Sequence, residues 1–243
     1  HVPIAQEEYT GQYIAVFSHH QNLSVWIEDK EVYRLQHEKG RNAFGKTPGI
    51  RWNFIGLMEE DMGKEAVMYV TSPYEDSVQS PINIYIGDKS AICIGIIHDD
   101  FVAYIIGFAI FAVGIVLVAI GIYAYVKLRQ VSDLFYLGMF AVFLAVWMLN
   151  ERRATKMILS GSLVCSYVSF ISLMILPMSF ILYVREQFND KEHISWKILL
   201  TCSFLQSTGT VLLQILNVKD LRETLLSTHL MIVAVLLNLL YRV

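Results

Sequence analysis

Cysteine is scarce in this chain: its 243 residues include only Cys93, Cys165 and Cys202. Cys93 lies close to the polar first hundred residues, whereas the other two lie in apolar runs. This distribution excludes a disulfide framework in the N-terminal part and provides no spacing typical of a metal site. We therefore expect the N-terminal part to fold on its hydrophobic core alone, with neither a metal nor another cofactor.

Motifs for catalysis are also missing. No Ser/His/Asp set, glycine-rich phosphate loop or carboxylate pair stands in a sequence context suited to chemistry. The neighbours His19 and His20 point to opposite faces if they lie on a strand, so they do not chelate one metal ion. The sequence predicts no catalytic residue and no metal site, and we do not expect this chain to be an enzyme.

Charge is absent from 26 consecutive residues, 101–126, and Lys127 ends the run. As a helix this run is about 39 Å long, which exceeds the hydrocarbon core of a bilayer, roughly 30 Å. The chain is 55% hydrophobic and its mean hydropathy is +0.47. These properties are typical of a membrane protein.

The net charge of −3 conceals an asymmetry between the two parts of the chain. Residues 1–100 hold 8 Lys/Arg against 15 Asp/Glu, and residues 101–243 hold 11 against 7. An acidic N-terminal part argues against binding to nucleic acid or to an anionic lipid surface. We call residues 1–96 the head, and we expect residues 97–243 to form a transmembrane domain.

The head is predicted to be an antiparallel β-sandwich. Short runs with alternating apolar and polar residues are separated by polar turns at 28–31 and 59–63 and by a loop at 37–50. No amphipathic helix interrupts them, which favours a sandwich or jelly roll. The predicted strands are 13–18, 23–27, 32–35, 52–57, 66–71 and 82–86.

The remainder of the chain is predicted to cross the membrane five times. Apolar stretches of suitable length occur at 101–126, 131–150, 163–184, 196–218 and 224–241. A charged loop at 151–156 follows the second. If the head is outside, the inner and outer connections carry five positive charges each, so the positive-inside rule does not fix the orientation.

A few residues of the predicted spans are candidates for helix packing or signalling. Glycine recurs every seven residues in the first span, which places three glycines on one face where another helix can approach closely. A proline in the third span kinks that helix or leaves a carbonyl without its donor. Polar side chains within the fourth span suit interhelical hydrogen bonds or a ligand path, and a histidine in the fifth span suits titration near neutral pH or packing as a neutral residue. A glutamate at the end of the second span suits contact with lipid headgroups or pairing with the arginines that follow it. These candidates are Gly107, Gly114, Gly121, Glu151, Pro177, Gln206 and His229.

Four aromatic residues of the head are candidates for ligand binding. Exposed aromatic rings on a β-sandwich can stack on sugar rings, and the alternative is that these rings belong to the core. The four are Trp26, Tyr33, Trp52 and Tyr74.

The order of these parts resembles that of a known receptor family. The last head strand with its Gly-Asp turn reads INIYIGDKSA, and later spans contain LFYLGMFAVFLAVWMLNE, FISLMILPMSFILYV and LLSTHLMIVAVLLNLLYRV. This resembles the bacterial seven-transmembrane receptors with diverse intracellular signalling modules, most of all clostridial members that end in a GGDEF diguanylate cyclase domain. The head stretch FGKTPGIRWNFIGLMEEDMGKEAVMYVTSPY is similar to galactose-binding-like sandwiches.

The resemblance implies an extracytoplasmic head in the bacterial cell membrane that binds a small-molecule or carbohydrate ligand, and a homodimer that signals. It also implies two further spans and a cytoplasmic output domain, so we expect this sequence to be the sensor part of a longer protein. Two alternatives remain open. One is a transporter or membrane enzyme with an accessory head, and the other is a membrane-anchored scaffold that binds proteins.

Overall fold

The computed structural model describes residues 1–4, 11–36, 45–78, 82–129, 132–159, 163–188 and 193–242. The chain divides into two compact units. The first comprises His1–Phe101 and Arg152–Ser166, and the second comprises Val102–Glu151 and Tyr167–Val243. The first unit therefore contains the head and also a segment that follows in the sequence more than fifty residues later.

Two antiparallel sheets form most of the first unit. One has the strand order β1-β6-β3-β4 and the other β5-β2-β7. The strands are β1 Val2–Pro3, β2 Gln12–His19, β3 Asn22–Ile27, β4 Lys30–Leu35, β5 Ile50–Gly56, β6 Glu65–Thr71 and β7 Asn83–Asp88. The predicted antiparallel β region is confirmed, and each of the six predicted strands overlaps an observed one. The two-residue β1 was not predicted, because so short a strand has no alternation to detect.

The core of this unit lies between the two sheets. Along β3 the side chains of Leu23, Val25 and Ile27 are buried while their neighbours point outward. They belong to one buried cluster with Ile14 of β2 and Ile55 of β5, in the other sheet. The alternation in β3 thus gives the four-stranded sheet an apolar face, which packs against apolar side chains of the three-stranded sheet. Of the predicted loop at 37–50, residues 37–44 lie outside the described part of the chain.

The head leads into a helix without a connecting loop. Strand β7 ends at Asp88 and helix α2, Lys89–Leu128, begins at the next residue; a single-turn helix, α1, covers Glu75–Val78. The Asp88 carboxylate accepts a hydrogen bond from the amide of Ala91 at 3.0 Å. This bond lowers the pKa of Asp88 and satisfies one of the amides that a helix start leaves unpaired. Residues 89–100, which precede the predicted first span, are therefore the first turns of a 40-residue helix.

Five further helices follow: α3 Asp133–Asn150, α4 Arg153–Ile158, α5 Leu163–Gln187, α6 Ile194–Ile215 and α7 Leu225–Arg242. Among the described residues, α2, α3, α5 and α6 are long and apolar enough to cross a membrane. The fifth predicted span forms α7, but its apolar part Leu225–Tyr241 is shorter than these four. The second span was expected to begin at residue 131, which lies outside the described residues. The loop predicted at 151–156 instead contains most of α4.

Candidate functional site

Two of the four aromatic residues predicted to bind ligand are buried. Trp52 is 4% exposed and Tyr74 is 6% exposed. The Trp52 indole lies 5.0 Å from the Phe17 ring, centroid to centroid, and its Nε1 donates to the carbonyl of Arg153 at 3.1 Å. The Tyr74 ring meets the His20 ring edge-on at 5.8 Å. Neither residue presents an open ring face on which a sugar could stack.

Tyr33 joins the two sheets. Its hydroxyl donates to Asn53 Oδ1 at 2.8 Å, and Asn53 Nδ2 donates to the carbonyl of Val16 at 3.1 Å and to Ser18 Oγ at 2.9 Å. Desolvation by burial raises the pKa of Tyr33, partly opposed by the positive charge of Arg51. Buried polar groups need such partners, so the Tyr33 hydroxyl stabilises the fold of the head by bonding one sheet to the other.

Trp26 lies between the buried Val25 and Ile27, so its side chain is on the outer face of the four-stranded sheet, and a polar groove lies on this face as well. The neighbours of Ser24 across the ladders are Arg34 on β4 and Tyr69 on β6. Because Ser24 is small and its two neighbours are long, the sheet surface is concave at this point. The groove has a volume of about 190 Å³, and its lining is Asn22, Leu23, Ser24, Arg34, Leu35, Gln36, Tyr69 and Thr71. We call it the outer groove.

The outer groove combines an aromatic ring with polar side chains that are mostly uncharged. Tyr69 is 60% exposed. Arg34 is paired: its guanidinium donates to both carboxylate oxygens of Glu31, with Nη2 at 2.6 Å from Oε2, and this hydrogen bonding lowers the pKa of Glu31. A ring face beside hydroxyl and amide groups suits a neutral ligand with several hydroxyl groups.

Sequence reasoning missed the outer groove. The signal was the alternation in β6, where Val67, Tyr69 and Thr71 share a face with each other and not with the buried Ala66. Assigning Tyr69 to the outer face required the partner strand as well, since β6 pairs with β3, which lies about forty residues earlier in the chain.

In the second unit, the glycine stripe of α2 lies directly against α3. A Cβ added to Gly121 would lie 2.7 Å from Phe135 Cα, and one added to Gly114 would lie 2.9 Å from the backbone nitrogen of Val142. At Gly107 the nearest atom belongs to the flexible side chain of Leu149. The two backbones thus approach closely at Gly114 and Gly121, as small residues on one stripe allow.

The polar residues of α6 make hydrogen bonds within the second unit. Gln206 Nε2 donates to Ser227 Oγ at 3.1 Å and to Thr228 Oγ1 at 2.9 Å, and both acceptors lie in the first turn of α7. Gln214 accepts from the amide of Leu221 at 2.8 Å, in the connection between α6 and α7. These bonds favour the interhelical role for Gln206 over the ligand path.

Pro177 and His229 line one apolar cavity of the second unit. Its volume is about 340 Å³, and α3, α5 and α7 contribute its walls. His229 is the one titratable side chain among the lining residues, which are Phe140, Leu144, Trp147, Leu173, Leu176, Pro177, Phe180, His229, Ile232, Val235 and Leu236. Pro177 cannot donate to the carbonyl of Leu173, four residues earlier, so α5 lacks one hydrogen bond beside this cavity.

The remaining candidates fit structural positions. Glu151 follows the last residue of α3, its side chain is exposed and its amide donates to the carbonyl of Trp147 at 3.0 Å. His20 Nδ1 lies 2.5 Å from Thr47 Oγ1. In the part of the chain that the structure describes, no three His, Cys, Asp or Glu side chains come together as metal ligands would.

Comparison with protein-family models, with curated proteins and with solved structures finds no match for this chain.

Proposed function

We propose that this chain is the sensor and transmembrane part of a bacterial signalling receptor of the seven-transmembrane type described above. Its head, a jelly-roll or galactose-binding-like sandwich, is extracytoplasmic and binds a small-molecule or carbohydrate ligand. The helices cross the membrane five times in this part of the protein and act as a homodimer. They pass the signal to a cytoplasmic output domain, a GGDEF diguanylate cyclase.

One observation carries this proposal: the head's last strand and the first long apolar helix follow each other with no residue between them. Asp88 ends β7 and caps α2, whose 40 residues exceed the length needed to cross a bilayer. The central strand of the same sheet, β2, pairs with β7 over six residues. A displacement in this sheet is therefore transmitted to the start of α2, which a flexible linker would absorb.

The outer groove supplies a place for the ligand. It lies on the sheet formed by β1, β6, β3 and β4, whose inner face shares one core with the sheet that leads into α2. Since closely packed cores are not freely deformable, binding on one sheet biases the position of the other. The ligand can shift the equilibrium only by the difference between its affinities for the two states.

A melting experiment on the full chain in detergent tests the binding step. We expect at least one sugar in a panel of neutral mono- and disaccharides to raise the melting temperature. At a hundred times its Kd, a bound sugar adds about 2.7 kcal/mol to the free energy of unfolding. Tyr69→Ala should abolish this effect, because it removes the stacking ring, and Tyr69→Phe should keep it. If no sugar stabilises the chain, or if Tyr69→Ala leaves the effect intact, ligand binding at the outer groove is wrong.

A further inference from the structure

Helix α4 belongs to the first unit although the sequence places it between two helices of the second. The chain passes from the first unit to the second after Phe101, returns at Arg152, and leaves again after Ser166. The chain therefore passes between the two units at three points, after residues 101, 151 and 166, and the first of these lies within α2.

Three contacts hold the start of α4 to the head and to the first turns of α2. Trp52 Nε1 on β5 donates to the carbonyl of Arg153, and the amide of Ala154 donates to Asp100 Oδ2 at 2.8 Å. The Arg153 guanidinium lies over the Phe17 ring, 5.9 Å from its centroid. Asp100 is 8% exposed and Ala154 is fully buried, so these bonds form away from solvent.

The short helix α4 depends on these contacts for its stability. Helix α4 has six residues, too few to be stable alone, and its N-cap residue Arg152 provides no side-chain hydrogen bond to the first turn. The Asp100 carboxylate, 54 residues earlier in the chain, provides that bond instead. The contacts with the head and with the first turns of α2 therefore determine whether α4 forms and where it lies.

We propose that α4 is a latch that couples the state of the head to α3 and α5. Arg152 directly follows the end of α3, and α5 begins at Leu163, so a movement of α4 acts on both helices through the chain. Trp52 and Asp100 are its positioning residues. Trp52 bonds α4 to β5, and Asp100 bonds α4 to the first turns of α2. The signalling role of the latch rests on the proposed function, whereas its mechanical coupling is independent of any ligand.

Hydrogen exchange of the full chain in detergent, followed by mass spectrometry, tests whether the head holds the latch. We expect Trp52→Phe and Asp100→Ala each to raise exchange in residues 153–158 by about tenfold or more, because local opening then costs less free energy. Asp99→Ala, at an exposed neighbour on α2, and Trp26→Phe, on the other sheet, are matched controls that should leave this exchange unchanged. Unchanged protection of β3 identifies variants whose head has folded.

Unaltered exchange of α4 in both Trp52→Phe and Asp100→Ala would overturn the latch. If one variant fails to fold, the other decides, since they remove separate hydrogen bonds.

A second experiment tests the coupling itself. Ile55→Ala weakens β5 from the core side, since Ile55 is 3% exposed and belongs to the buried cluster between the two sheets. We expect it to raise exchange in the last turn of α3 about fivefold in the otherwise unchanged chain, and to have no such effect in a Trp52→Phe/Asp100→Ala background. An equal rise in both backgrounds, or no rise in either, contradicts the proposal. Since no ligand is used, the latch can be confirmed even if the sugar experiment fails.

Discussion

At the residue scale, the head depends on a few buried polar side chains that connect its layers. Asn53 uses its amide nitrogen within its own sheet and its oxygen to accept from Tyr33 on the other sheet. An aromatic residue that looked suited to sugar binding in the sequence thus serves as a cross-link. Aromatic residues are as typical of cores as of binding sites, and only the burial of each ring separates the two roles.

Tyr33→Phe tests this cross-link. We expect it to lower the free energy of unfolding of the head by about 1 kcal/mol near neutral pH, because a hydrogen bond to a buried acceptor is lost. Urea unfolding of the full chain in detergent, followed by head fluorescence, measures this loss. Tyr69→Phe, on the exposed outer face, is the matched control and should change little.

The pH dependence of stability gives the same residue a second test. Because the folded-state pKa of Tyr33 is raised above its ordinary value of 10.0, its contribution is complete below pH 10 and is lost as the pH rises through the folded pKa. The free energy of unfolding, measured at a series of pH values from about 9 to 12, should therefore fall more steeply with pH for the natural chain than for Tyr33→Phe. Parallel curves would show that the hydroxyl is not buried as described.

At the element scale, the close approach of α2 and α3 depends on which atoms face each glycine. Backbone atoms of α3 lie beside Gly114 and Gly121, whereas the end of a leucine side chain lies beside Gly107. From α3, Gly138 faces Val118 with an equally small gap. The sequence predicted the stripe from its period of seven, but it did not predict α3 as the partner, since any helix with a small or flat face could dock there.

Substitution by alanine should separate these positions. Gly121→Ala and Gly114→Ala should each lower the stability of the helical unit by about 1–3 kcal/mol, because backbone atoms cannot move aside as a side chain can. Gly107→Ala should cost less. Gly209→Ala in α6 is the control, since an added Cβ there meets no atom within 4 Å and helix propensity alone favours alanine. Thermal melting in detergent ranks the four variants, and equal effects would contradict the packing.

At the scale of the whole molecule, the first unit is not continuous in sequence. Residues 1–101 contain both sheets and the first turns of α2, and residues 152–166 complete the unit. From the sequence, the head was expected to fold alone as residues 1–96. That segment lacks Asp100 and leaves Trp52 without its acceptor on Arg153.

Two soluble fragments test this organisation. We expect residues 1–101 alone, and residues 1–101 joined by a Gly/Ser linker to 152–166, both to give circular dichroism spectra dominated by β structure. The joined fragment should melt roughly 10 °C higher, since it restores two buried hydrogen bonds worth about 2 kcal/mol together. Equal melting temperatures would show that 152–166 adds no stability, and a spectrum dominated by helix would contradict the fold of the head.

The sequence alone determined the longer strands and the apolar helices, and their order. Strands such as β3 and β6 follow from alternation along a few residues, and the apolar helices follow from length and composition, so both properties are local to each segment. The tertiary structure decided what depends on distant partners. It extended the first long helix back to Lys89, placed 152–166 in the first unit, buried Trp52 and formed the outer groove beside Tyr69. The bonds of α4 join residues 54 and 101 positions apart. No local pattern encodes such a pair, because its formation depends on the packing of the elements between them.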